Sequence, residues 1–110
     1  MAGPRRVAIA ATELAPEVPG IASRAVDVDG VRWALVSYEP GVLREEFCDE
    51  GHSGYVVHGE VTYEFSDGGD PLALKAGDGF ALPGANPHRG RAGAQGATLF
   101  LIDSEVGHGR

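Results

Sequence analysis

From residue 25 onward the chain alternates short apolar runs with turn residues. Ala25-Val26-Asp27-Val28 leads into Asp29-Gly30, a dipeptide suited to a two-residue hairpin turn. Val31 to Tyr38 then reads as a strand that stops at Glu39-Pro40-Gly41. Val42 to Cys48 predicts a further extended segment. Tyr55-Val56-Val57 leads to a turn at His58-Gly59-Glu60, and Val61 to Phe65 alternates until Ser66-Asp67-Gly68-Gly69. Leu72-Ala73-Leu74, Phe80-Ala81-Leu82 and Thr98 to Ile102 complete the series. No window keeps a helical period. Short strands at about 8–12-residue spacing predict an all-β sandwich or barrel.

The first twenty residues end in Pro16-Glu17-Val18-Pro19-Gly20 and read as an arm with one short strand at most, because proline excludes a helix interior. The expected organisation is an N-terminal arm over 1–20, a barrel over 21–104 and a polar C-terminal tail over 105–110.

Composition narrows the function classes. The 110 residues fit one domain, and a 43% apolar fraction can bury a core without staples. The net charge of −7 argues against nucleic acid, which needs clustered Lys and Arg, and against anionic membranes. Arg5-Arg6 before the five apolar residues Val7 to Ala11 is shorter than the roughly 7–15 apolar residues of an export signal. With one cysteine, Cys48, no internal disulfide forms, so a cytoplasmic location is expected. A phosphate-binding glycine loop, a dinucleotide fingerprint and a Cys-x-x-Cys pair are all lacking in the sequence.

The segment from Pro40 to His88 resembles the cupin family. That family's second motif is a glycine, five residues, Pro-x-Gly, two residues, then His; here it reads Gly77, Asp78 to Leu82, Pro83-Gly84-Ala85-Asn86-Pro87-His88. Ala85 replaces the second glycine, and Ala92 stands where the family often has asparagine. The turn Tyr55-Val56-Val57-His58-Gly59-Glu60 looks like the end of the first motif. Counted back from Gly59, the family's glutamate falls on His52 and its His-x-His pair on Glu46-Phe47-Cys48. The resemblance implies a cupin-type double-stranded β-helix, a jelly-roll barrel, with Glu46, Cys48, His52 and His88 as metal ligands. Carboxylate, thiolate and imidazole are all ordinary ligands for zinc and iron, with nickel or manganese behind them. Counted forward from Gly41, however, the first motif lands on Phe47. A strand of the other parity would turn Glu45, Phe47 and Asp49 inward.

Each candidate also has a plainer reading. Cys48 is a small apolar residue if buried, Glu46 a solvated strand residue beside Glu45, Asp49 and Glu50, and His52 a surface turn residue. His88 is otherwise a pocket histidine that meets a ligand without metal. His58 reads as exposed, and His108 belongs to the tail. Arg44 either anchors a substrate carboxylate at the barrel mouth or pairs with a surface acid. Two functions follow: a metal cupin, as an enzyme acting on a small polar molecule, or a non-enzymatic cupin that binds a small ligand or senses it. Val31 to Tyr38 carries Trp33, Leu35, Val36 and Tyr38, apolar on both faces, which predicts a homodimer covering the outer one.

Overall fold

The computed structural model describes residues 3–103. Seven antiparallel strands follow one another: β1 (Ala15–Val18), β2 (Ile21–Val28), β3 (Val31–Tyr38), β4 (His52–Phe65), β5 (Leu72–Lys75), β6 (Gly79–Leu82) and β7 (His88–Asp103). The order across the sheet is β1-β2-β3-β7-β4-β5, with β6 paired to β4. Among the described residues no helix is long and apolar enough to cross a membrane.

Local chemistry accounts for these elements. Asp29 and Gly30 both have positive φ, at 53° and 79°, and close the β2–β3 hairpin with Val28 opposite Val31. Two positive φ values in a two-residue turn match the twist of the flanking strands. Along β3 and β7, side chains at alternate positions are buried: Ala34, Val36 and Tyr38 on one strand, Ala97 and Leu99 on the other. Val56 and Val61 of β4 are fully enclosed between them. Removing such apolar groups from water is the main favourable contribution to the barrel.

β4 and β7 are longer than the sequence pattern suggests. The expected turn at His58-Gly59-Glu60 is a bulged stretch inside one strand, with register shifts at Val56/His58 and Gly59/Val61. The strand bends there instead of reversing. Its first half pairs with β6 and the C-terminal half of β7; its second half pairs with β5 and the N-terminal half of β7. This double use of β4 and β7 wraps the sheet around the core. The motif turn after β5 docks on the same bend, through Gly77 N–H to Val56 O and Val56 N–H to Asp78 O, each 2.9 Å.

The N-terminal residues do more than form an arm. β1 pairs with β2, so the sheet starts at Ala15. The 3-10 turn Ile9–Ala11 lies against β2 and β3 of its own chain. Arg24 donates to Thr12 O, and Arg5 pairs with Asp29 at 3.2 Å. The expected tail at 105–110, with His108, lies outside the described residues.

Candidate metal centre

Cys48 and His88 are brought together by backbone pairing. Cys48 N–H donates to His88 O at 2.7 Å and His88 N–H to Cys48 O at 2.9 Å. Residues that exchange both bonds stand directly opposite, with side chains on one face. His52 opens β4, next to Ser53, which pairs with Ile102 of β7. The ligand atoms of Cys48, His52 and His88 all lie within 4.8 Å of one another. The His52 and His88 ring centroids are 5.2 Å apart.

Glu46 does not join them, which corrects its expected place in the cluster. It is exposed, lies outside the group of close ligand atoms, and lines a surface groove with Leu43, Phe47 and Cys48. The reason is a failure of strand alternation. Bridges join Leu43 to Arg91 and Cys48 to His88. Five steps on one side (48 − 43) therefore face three on the other (91 − 88), and the extra two residues bulge outward. Arg89 holds that bulge, donating to Glu45 O at 2.8 Å and lying 4.5 Å from the centre of the Phe47 ring. The opposite parity does not apply either, since Glu45, Phe47 and Asp49 are exposed.

The three residues line a cavity of about 230 Å³ together with Tyr38, Tyr63 and Asp103. His88 is 2% exposed, and neither ring nitrogen has a hydrogen-bond partner. A buried polar group without a partner costs about 1–3 kcal/mol, so one retained in a cavity calls for a ligand. Its ring packs edge-on against Tyr63, with centroids 5.6 Å apart. His52 Nδ1 is 2.7 Å from Asp103 Oδ1, and its Nε2 is 3.7 Å from Cys48 Sγ.

These contacts set the protonation states. The nearby imidazole of His52, then that of His88, outweighs burial and lowers the Cys48 thiol from 9.0 to about 6. For His52, burial disfavours the charged ring, but the bonds to Asp103 and Cys48 prevail and raise it to about 9. Burial pushes the Tyr63 and Tyr38 hydroxyls upward, so both stay neutral donors. Arg44 points into the same cavity but is engaged by Glu17, at 2.5 Å. The expected surface pairing is therefore present, on the cavity wall.

A prediction follows for metal-free protein. Thiolate rises with pH, so alkylation of Cys48 should reach half its maximal rate near pH 6 and be fast at pH 7. A half-maximal rate near pH 8.5–9 would contradict the site geometry.

Asp103 was not evident from the sequence. Leu99 and Leu101 line the cavity, and Asp103 is the next residue of the same parity.

Neither a family model nor a curated protein matches the sequence. Solved structures do. One is the Bacillus subtilis oxalate decarboxylase studied for its Mn(II) centres (TM-score 0.73, 23% identity, 86% of this chain and 28% of that one). A second is an RmlC-like cupin from Shewanella frigidimarina (0.70, 21%, 86% and 84%). A third is KdgF from Halomonas sp. (0.66, 22%, 84% and 86%). The chain spans under a third of the oxalate decarboxylase and most of the other two. An antiparallel barrel enclosing a histidine- and cysteine-lined cavity is the class these observations define. The chain has the fold of a small cupin domain.

Proposed function

We propose that this cupin binds one divalent transition metal through Cys48 Sγ, His52 and His88, and presents a small polar molecule to it in the cavity. The observation that carries this reading is the orphaned, buried His88 imidazole within reach of a second imidazole and a low-pKa thiol. The donor set favours zinc or iron: thiolate suits softer ions, whereas manganese prefers oxygen ligands. The Bacillus subtilis oxalate decarboxylase, by comparison, has Mn(II) centres. Three protein donors leave a position open, which is the arrangement of catalytic rather than structural metal sites. A bound metal would supply Lewis-acid polarisation of a ligand oxygen. The chain's own residues enclose that ligand: Tyr38 and Tyr63 as neutral hydroxyls, with Leu99 and Leu101 as apolar wall. A cavity of about 230 Å³ suits a small molecule.

The test is titration of metal-free protein with cobalt(II). Saturation at one ion per chain with a thiolate-to-cobalt charge-transfer band is expected, and the band should be missing in Cys48→Ser. Absence of the band in the unsubstituted protein would reject the site.

The same reading includes a homodimer. Trp33, Leu35, Phe100 and Ile102 are register neighbours on the outer face of β3 and β7, and Tyr55 beside Phe100 is 48% exposed. Light scattering after size exclusion should give twice the 11.4 kDa chain mass, and Tyr55→Glu should shift it toward one. A monomer at micromolar concentration would reject the pairing.

A further inference from the structure

The metal reading above leaves the acid behind His52 without a role. We infer that Asp103 is the positioning residue of the site: by accepting the Nδ1–H of His52, it leaves Nε2, on the Cys48 side, as the metal-binding nitrogen. This inference rests on that reading.

Sequence and register place the acid. Alternation along β7 turns Leu99, Leu101 and Asp103 into the cavity. The pairing of Ser53 with Ile102 puts His52 and Asp103 at adjoining positions of the two strands. The bond is 2.7 Å long, and the two side chains are only 15% and 17% exposed, so water competes weakly for either partner. The obvious rival for the carboxylate is Arg32, directly across β3. Arg32 instead gives its bonds to Asp27, at 2.8 and 3.1 Å. His88 shows the contrast: neither of its nitrogens is hydrogen-bonded, so no partner fixes its tautomer.

An imidazole whose one nitrogen donates to a carboxylate has a fixed tautomer and a more basic second nitrogen, which is what a metal ligand requires. Charge balance points the same way. A divalent ion with one thiolate and two neutral imidazoles carries a net positive charge. The Asp103 carboxylate offsets it without entering the coordination sphere.

The experiment compares the unsubstituted protein with Asp103→Ala and Asp103→Asn, by zinc competition against a chelator, cobalt(II) absorption and metal-free melting. Asp103→Ala should bind zinc about 10–100-fold more weakly. Asp103→Asn keeps an acceptor oxygen without the charge and should fall between. The ligand-field bands of cobalt should shift in both, a change in the bound metal's surroundings that a merely structural role would not give. If Asp103→Ala does not fold, Asp103→Asn carries the comparison. Zinc affinity within threefold of the unsubstituted protein in the variants overturns the inference and leaves the metal reading standing. Unchanged affinity with slower Cys48 alkylation assigns Asp103 to the thiol and overturns it too. Failure of the unsubstituted protein to bind metal ends both.

Discussion

Replacing His88 with leucine should remove metal binding while leaving the metal-free protein as stable as before, or more so. The site has three donors within 4.8 Å, and two cannot hold an ion as three do. The loss should exceed the 10–100-fold expected for removing an outer partner. Stability should move the other way. His88 is 2% exposed with both nitrogens unpaired, so the metal-free fold carries a desolvated polar group. An apolar side chain of similar size removes that cost, of about 1–3 kcal/mol. Glu46→Gln supplies the control: Glu46 is exposed on the outward bulge and should bind zinc like the unsubstituted protein. Chelator competition and thermal melting measure both quantities. Weakened binding in Glu46→Gln equal to that of His88→Leu would place the carboxylate in the site after all.

The largest stability loss should come from Gly59→Ala. Gly59 has φ 76°, and a Cβ there would sit 2.0 Å from the Gly96 carbonyl oxygen. The left-handed conformation alone costs a non-glycine residue about 1–2 kcal/mol. The clash cannot be relieved by rotating a side chain, because the neighbour is backbone. β4 and β7 must separate at the bend where the sheet wraps. A total of about 3–5 kcal/mol is expected, lowering the melting temperature on the order of 15–30 °C. Gly68→Ala isolates the conformational part: its φ is 80° and nothing lies within 4 Å of the added Cβ. Equal losses for the two variants would mean that the close approach of β4 to β7 is not what holds the bend.

The contrast between these two glycines also shows what the sequence can reveal. Local turn chemistry is legible, so Asp29-Gly30 marks the β2–β3 hairpin, and Gly77 to His88 carries its motif and its histidine in plain order. Gly59 is legible as a residue with positive φ, but nothing local says whether the chain reverses or continues. Its partner Gly96 is distant in sequence, and the pair makes a bend rather than a turn. The same limit applies at the site. The spacing from Gly59 picks out His52 and Cys48, which do lie close together with His88, because the stretch between them is short. Glu46 is misplaced because alternation holds only in an unbulged strand, and the bulge is defined by the pairing of residues 43 and 48 with β7. Asp103 escapes notice because its contact with His52 depends on cross-strand register, which no local pattern encodes.

Whether Cys48, His52 and His88 hold a metal is decided most directly by elemental analysis of protein purified without chelator, read together with melting before and after metal removal. One equivalent of zinc or iron per chain is predicted. Stripping it should lower the melting temperature, and readdition should restore it, since a ligand bound at 1,000 times its Kd stabilises the fold by about 4 kcal/mol. Protein that carries no stoichiometric metal, and whose melting temperature does not respond to added zinc or iron, would contradict a metal centre at these three residues.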